Sequence, residues 1–126
     1  MKIFSAGATG VLGRRVIQSL ISSGHHVVGL SRSDKNDQII NQLGAEPRHG
    51  NLFDKNSLVS TSFDCDVILH LATAIPTQAP SKEADWDLND RIRIDGTKNL
   101  IEAAIQNNCK LYVQESITAL YGNQNG

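Results

Sequence analysis

Three glycines close to the amino terminus have the spacing of a phosphate-binding turn. Gly7, Gly10 and Gly13 follow a short apolar run and precede an amphipathic segment, where a strand would turn into a helix. Gly7 would permit a tight turn, Gly10 would let the backbone approach a phosphate, and Gly13 would let the helix lie close to the strand. Free N–H groups at the helix start would then face a dinucleotide pyrophosphate. The residues predicted to contact it are Gly7, Thr9, Gly10, Val11, Leu12 and Gly13.

Two alternatives to this interpretation have different standing. A glycine-rich turn that binds no ligand stays open, because glycine is common wherever a chain reverses direction sharply. A P-loop for nucleoside triphosphates is excluded, because no Gly-Lys-Ser/Thr sequence follows the third glycine.

The end of the second predicted strand bears on the choice between NAD and NADP. An acidic residue there would bind the ribose 2′-hydroxyl, whereas a basic one accommodates a 2′-phosphate. The charged residue nearest that position is Arg32, while Asp34 is interpreted as a helix N-cap. NADP is therefore slightly favoured over NAD. The alternative is that Arg32 is a solvated loop residue, and Arg14 at the first helix has the same two interpretations.

The histidines and cysteines do not suggest a metal site. His70 lies inside an apolar run, where a histidine is more often a hydrogen-bonded core residue than a catalytic one. The others have no partners at ligand spacing, and no disulfide framework is indicated. They are His25, His26, His49, Cys65 and Cys109.

Five short apolar runs alternate with segments of helical periodicity. The predicted strands are Lys2 to Ala6, His26 to Leu30, Glu46 to Gly50, Asp66 to Leu71 and Lys110 to Gln114. The predicted helices are Val11 to Ser23, Asp37 to Leu43, a short one near Asn56 to Ser60, and a long one from Trp86 to Asn107. This alternation predicts an α/β fold, with a doubly wound, mostly parallel sheet in strand order 3-2-1-4-5 and helices on both faces.

Length and composition limit the class of protein. The 126 residues are expected to form one domain, with an ordinary hydrophobic fraction of 40%. A formal net charge of -1 without a basic run argues against a nucleic-acid partner. Because no long apolar segment opens the chain, a signal peptide or membrane span is not predicted, and a cytoplasmic protein is expected.

Taken together, these segments resemble the short-chain dehydrogenase/reductase superfamily, whose Gly-x-x-Gly-x-x-Gly turn matches the three glycines. The extended or atypical branches, which include epimerases and dehydratases, resemble the chain best. The resemblance implies that Asn51 and Leu52 lie beside the adenine, and that Leu71, Ala72 and Thr73 pass beneath the cofactor riboses. The segment from Gly96 to Leu100 is similar to a Gly-Thr-x-Asn-Leu sequence in the family's long helix.

The resemblance also implies a catalytic residue, Ser116, at the end of the fifth strand and before Tyr121-Gly122. The family's Tyr-x-x-x-Lys pair is absent from the sequence, and Arg93 stands where many members carry an asparagine. Truncation before a substrate-binding carboxyl-terminal region is the expected explanation. The fifth strand would then be an exposed edge through which a homodimer could form.

Two functions stay open on the sequence. The first is NAD(P) binding within an oxidoreductase, epimerase or dehydratase that acts on a carbonyl or secondary alcohol. Whether the 126 residues are an enzyme by themselves is left undecided, since a small-molecule substrate would require the missing region. The second is a non-catalytic dinucleotide-binding sensor or interaction module.

Overall fold

Five parallel strands form one sheet in the computed structural model, which describes residues 1–79 and 81–116. The strands are β1 (Lys2–Ala6), β2 (His26–Ser31), β3 (Glu46–His49), β4 (Val67–His70) and β5 (Leu111–Gln114). Their order across the sheet is β3-β2-β1-β4-β5, which confirms the predicted fold class and topology. Each predicted strand agrees with the observed one to within one residue at either end.

Three helices connect the first four strands. They are α1 (Val11–Ser22), α2 (Asp34–Gln42) and α3 (Lys55–Thr61). Helix α2 begins three residues earlier than predicted, and the expectation that Asp34 caps it is wrong. Ser33 is the N-cap, because its Oγ accepts the N–H of Asn36 at 3.2 Å.

The long helix predicted from Trp86 to Asn107 is interrupted. A 3₁₀ turn (Glu83–Trp86) leads into α4 (Asp87–Arg91), and a π-helical turn (Ile92–Gly96) follows before α5 (Thr97–Gln106). A π turn adds about one residue to a helical repeat, so a search for 3.6-residue periodicity does not reveal it. No helix among the described residues has the length and apolar character needed to cross a membrane.

Helices cover both faces of the sheet because successive strand residues point to opposite sides. On one face Phe4, Val28 and Ile68 pack with Leu58 of α3 and Leu100 of α5. The opposite face is built from alternate strand residues and from α1 and α2, with Ile3, Val27, Val67, Ile17 and Ile40 buried there. A sheet covered on both sides leaves its carboxyl edge as the place for a ligand.

The strand register places several connecting loops side by side at that edge. Ala6 of β1 pairs with His70 of β4, and Ser31 of β2 pairs with His49 of β3. The loops that follow β1, β2, β3 and β4 therefore leave the sheet at the same end. This arrangement brings together segments that are far apart in the sequence.

Candidate functional site

A cavity of about 840 Å³ opens at the carboxyl ends of β1 to β4. Nine of the residues predicted to contact a cofactor line it, namely Gly7, Thr9, Gly10, Arg32, Asn51, Leu52, Leu71, Ala72 and Thr73. Val11, Leu12 and Gly13 do not line it and lie in the first turn of α1. The volume is within the range of small-molecule and cofactor sites.

Gly7 makes the turn out of β1, and its backbone admits no side chain. Its φ of +89° lies in the left-handed region, which favours glycine. A Cβ atom there would also stand 2.4 Å from the carbonyl carbon of Leu71 and 2.5 Å from the nitrogen of Ala72. The turn after β1 is therefore pressed against the loop after β4.

Gly13 and Gly10 differ in the space around them. A Cβ atom on Gly13 would stand 2.0 Å from the carbonyl oxygen of Gly7, so α1 approaches the turn closely only because this residue is glycine. At Gly10 the nearest atom to an added Cβ is that same oxygen at 3.5 Å, an ordinary van der Waals contact. The fold thus explains Gly7 and Gly13, whereas no packing contact requires glycine at position 10.

The start of α1 carries amide groups that the helix itself does not use. Arg14 N–H donates to the carbonyl of Gly10 at 3.0 Å, and the three preceding N–H groups have no acceptor four residues back in the helix. Gly10 is the N-cap without a side chain, and the first turn contains no acidic residue. The positive end of the helix dipole is therefore uncompensated by a side chain. Arg14 Nε braces the turn by donating to the Thr9 carbonyl at 2.8 Å.

The loop after β2 forms the next side of the cavity. Ser31 and Asn36 line it together with Arg32, whose side chain is exposed. Ser31 itself is fully buried, and its Oγ donates to the Ser33 carbonyl at 3.1 Å and to the carboxylate of Asp37. The β2 end is thus tied to the first turn of α2.

His49 lies beside this loop and has a carboxylate partner, Asp37, although none was expected from the spacing of residues in the sequence. Its Nε2 donates to Asp37 Oδ2 at 2.6 Å, and the other oxygen of that carboxylate accepts from Ser31. The hydrogen bond to Asp37 raises the pKa of His49. The Ser31 and His49 bonds, in that order, lower the pKa of Asp37. The carboxylate of Asp37 thus bridges Ser31 at the end of β2 and His49 at the end of β3.

The segment after β3 is held by hydrogen bonds from two helices. Ser57 Oγ of α3 accepts the N–H of Asn51 at 2.7 Å, and Asn51 Oδ1 accepts the N–H of Phe53 at 2.9 Å. Asn99 Nδ2 of α5 donates to the Leu52 carbonyl at 3.1 Å. The hydrogen bond to Phe53 fixes the orientation of the Asn51 side chain, whose Nδ2 can donate to a ligand.

Gly96 explains part of the family-like sequence in the long helical segment. A Cβ atom on Gly96 would stand 2.9 Å from Leu52 Cδ2, so the π-helical turn packs directly on the Leu52 side chain, which would have to shift to admit a larger residue there. Gly96 and Asn99 thus hold Leu52 from two sides. Gly96 and Asn99 thereby position Leu52, which forms part of the cavity wall, although neither of the two residues lines the cavity itself.

The loop after β4 begins with a backbone hydrogen bond to β1. Leu71 N–H donates to the Ala6 carbonyl at 2.9 Å, which brings Ala72 and the exposed Thr73 to the cavity. His70 is 2% exposed, and its Nε2 donates to the Ile92 carbonyl at 3.3 Å. Burial lowers the pKa of His70, so the ring is neutral, in keeping with the core role expected for it.

Ser116 does not reach the cavity. It is exposed two residues beyond β5, and it is absent from the lining described above. The neighbouring backbone is fixed, because Glu115 N–H donates to the His70 carbonyl at 3.1 Å and Arg93 donates to the Glu115 carbonyl at 3.4 Å. Arg93 therefore supports the end of β5. Tyr121 and Gly122 lie outside the described residues.

Several lining residues had no signal in the sequence. His49 ends β3, Phe53 lies in the loop that follows and Ser57 belongs to α3, whereas Leu88 and Ile92 come from the interrupted helix. The polar residues among them belong to no recognisable motif. The apolar ones could not be singled out, because any helix that covers a sheet carries such residues. The one available signal was position, since His49 ends a parallel strand at the edge where ligands bind.

Comparisons with known proteins point to one family. The model of the NAD dependent epimerase/dehydratase family matches residues 3–126. The chain is 33% identical over 104 residues to the decarboxylating sterol-4-alpha-carboxylate 3-dehydrogenase of Dictyostelium discoideum, which aligns with 82% of this chain and 30% of that protein.

Solved structures agree on the fold. UDP-glucose-4-epimerase from Stenotrophomonas maltophila, with bound NAD and formylated UDP-arabinopyranose, has a TM-score of 0.80 and 21% identity over 100% of this chain and 40% of its own. A short-chain dehydrogenase/reductase superfamily protein from Agrobacterium tumefaciens, with bound NAD, has a TM-score of 0.75 and 25% identity over 97% of this chain and 34% of its own. The chain therefore spans between 30% and 40% of the length of these relatives.

Proposed function

This chain belongs to the NAD dependent epimerase/dehydratase family, and from that premise we propose that its cavity binds NADP or NAD. The observation that carries the proposal is the contrast among the three glycines. Packing requires glycine at Gly7 and Gly13, whereas Gly10 faces the cavity with space for a Cβ atom. A ligand that approaches the backbone closely accounts for glycine at position 10.

The residues around the cavity fit the parts of a dinucleotide. The pyrophosphate would accept hydrogen bonds from the N–H groups of Val11, Leu12 and Gly13, whose positive helix end favours an anion. Asn51 and Leu52 would lie along the adenine, and the loop from Leu71 to Thr73 would support the riboses. The chain of the Agrobacterium tumefaciens relative is solved with bound NAD, in agreement with this class of ligand.

We favour NADP over NAD because of the charge at the end of β2. Arg32 is the cationic side chain that lines the cavity there, and a guanidinium can bind a 2′-phosphate through two hydrogen bonds. The carboxylate of Asp37, which lies beside the loop after β2, is engaged by Ser31 and His49. It is therefore not free to accept hydrogen bonds from a ribose 2′-hydroxyl.

The proposed reaction class is redox chemistry at a carbonyl or a secondary alcohol, as part of a longer oxidoreductase, epimerase or dehydratase. The bound nicotinamide would supply hydride transfer. The chain's own residues would hold the dinucleotide at the edge of the sheet. Ser116, which lies beyond the end of β5 and outside the lining of the cavity, would orient the substrate oxygen by a hydrogen bond. A tyrosine with a lysine four residues later would have to come from outside these 126 residues, since the sequence holds no such pair.

The location and assembly of the protein follow the same proposal. We propose that it is cytoplasmic, in keeping with two free cysteines among the described residues.

Strand β5 ends the sheet and exposes Leu111 and Val113, so the 126-residue chain by itself would pair through that edge with a second copy. A strictly monomeric mass in solution at high concentration would contradict that pairing.

Titration calorimetry with NADP and NAD tests the binding proposal. The wild type should bind both, with the lower Kd for NADP, and Gly10→Val should lose affinity because the branched side chain occupies the phosphate approach. Gly24→Ala is the control, since Gly24 has φ +87° but lies at the far end of α1. It should lower the melting temperature and leave both Kd values unchanged. Unchanged affinity in Gly10→Val would contradict the placement of the pyrophosphate.

A further inference from the structure

A histidine stands beside the proposed 2′-phosphate position on a different strand. His49 is the register partner of Ser31, whose chain neighbour is Arg32, and adjacent parallel strands lie about 4.8 Å apart. His49 and Arg32 both line the cavity, as does Asn36 at the start of α2. Two potential cations from neighbouring strands therefore approach the same end of the site.

The hydrogen bond to Asp37 determines which ring nitrogen of His49 changes its proton. Nε2 donates to Asp37 Oδ2 at 2.6 Å, so the neutral ring keeps its proton there and leaves Nδ1 as an acceptor. Nδ1 makes no hydrogen bond to any side chain or backbone group within residues 1–79 and 81–116. Protonation converts it into a donor, which is the change that an anionic ligand can detect.

We propose that His49 is a specificity-determining residue for the 2′-phosphate of NADP, which it binds in its protonated form beside Arg32 while Asp37 holds the ring. The proposal rests on the proposed dinucleotide site and adds a second cationic contact to it. It also makes the preference for NADP over NAD depend on pH, because NAD has no group for this contact.

The charges around His49 explain why its proton matters. Asp37 and Asp34 of α2 both act on the imidazole, Arg32 approaches from the end of β2, and α3 contributes the neutral Ser57 to this edge. With a neutral His49, the Asp37 carboxylate is an uncompensated negative charge next to a phosphate dianion. A protonated His49 removes that repulsion and adds a donor.

Asp37 extends the range over which His49 stays protonated, because its hydrogen bond raises the pKa of the imidazole. The gain in NADP affinity is therefore largest below that raised pKa and disappears as pH rises through it. The phosphate has its own second pKa, at about 6, so absolute affinities combine two titrations. Dividing the wild-type association constant by that of a His49 variant cancels the titration of the phosphate.

The test compares His49→Gln with wild type by calorimetry between pH 5.5 and 9, using NADP and NAD as probes. Glutamine can still donate to Asp37 but cannot be protonated. His26→Gln is the matched control, because His26 forms a similar pair with Glu46 at 2.9 Å, but at the opposite end of β2 and β3. Thermal melting of each variant shows whether the fold is retained.

For NADP, the wild-type to His49→Gln ratio of association constants should be about fivefold at the lowest pH and fall to about one at the highest. The same ratio for NAD, and both ratios for His26→Gln, should stay near one throughout. A flat NADP ratio, or an equal change in His26→Gln, would overturn the role of His49 and leave dinucleotide binding intact. If neither dinucleotide binds the wild type at any pH, the proposed function itself is wrong.

Discussion

A carboxylate at position 10 should stabilise the protein and weaken its proposed binding of a dinucleotide. Gly10 has φ -72° and ψ 170°, an extended N-cap geometry that any residue adopts, and α1 has no side-chain cap. In Gly10→Asp the carboxylate would accept the free N–H groups of Leu12 or Gly13 and lie at the positive end of the helix dipole. Those groups are the same ones that the pyrophosphate would use.

The expected stability gain combines two small effects. Aspartate exceeds glycine at an N-cap by a few tenths of a kcal/mol, and an acid near the helix start adds about 0.3–1 kcal/mol. The free energy of unfolding should therefore rise by about 0.5–1 kcal/mol, or about 2–4 °C in melting temperature for a domain of this size.

The loss of NADP affinity expected for Gly10→Asp is larger, in free energy, than its gain in folding stability. Two unit charges about 4 Å apart repel by about 4 kcal/mol near a protein surface, and the exposure of Gly10 reduces this to about 2 kcal/mol. This is equivalent to a rise of about thirtyfold in Kd. Gly10→Asn is the matched control, since it caps the helix with nearly the same shape and no charge, and it should lose less affinity.

Urea unfolding and calorimetry with NADP measure the two effects separately. We expect the Gly10→Asp curve to shift to higher urea while NADP binding weakens strongly. Binding of Gly10→Asp within threefold of the wild type, with the fold intact, would refute the assignment of the helix start to the pyrophosphate. Equal losses of NADP affinity in Gly10→Asp and Gly10→Asn would show instead that the size of the side chain, and not its charge, causes the effect.

Two further predictions concern stability. Gly13→Ala should lower the free energy of unfolding by about 1–3 kcal/mol in urea titration, because its Cβ atom would stand 2.0 Å from the Gly7 carbonyl oxygen; an unchanged midpoint would contradict the close contact. Asp64→Asn should lower stability at pH 7, because the hydrogen bond from Arg48 holds the pKa of Asp64 below its usual range. That contribution is present above pH about 4 and is lost as pH falls through the lowered pKa, so the two unfolding curves should converge in acid, and a constant gap would contradict it.

The sheet was predictable because its signals are local. Most strands are short apolar runs, β3 (Glu46–His49) being the polar exception, and helical segments separate successive strands, so right-handed crossovers leave few possible strand orders. The glycine turn was predictable for a related reason, since Gly7 and Gly13 are imposed by backbone contacts with residues close in the chain or at the next strand end. Such contacts can be predicted from the sequence because few residues other than glycine fit them.

Contacts between distant segments were not predictable in the same way. The pair of His49 and Asp37 joins residues 12 apart on two elements, and it forms only because Ser31 and His49 share a register position. The cap at Ser33 was missed because Ser33, Asp34, Asn36 and Asp37 stand close together and all suit a helix start. The π-helical turn was missed because its apolar residues still follow a nearly continuous stripe.

Amide chemical-shift mapping during a titration with NADP tests the central claim most directly. The account predicts that the largest shifts cluster at residues 7–13, with further shifts at 31–36, 49–53 and 71–73, and that NAD shifts the glycine turn in the same way. No shift at residues 7–13 at saturating NADP, or shifts confined to another surface of the sheet, would contradict the claim that this turn binds a dinucleotide pyrophosphate.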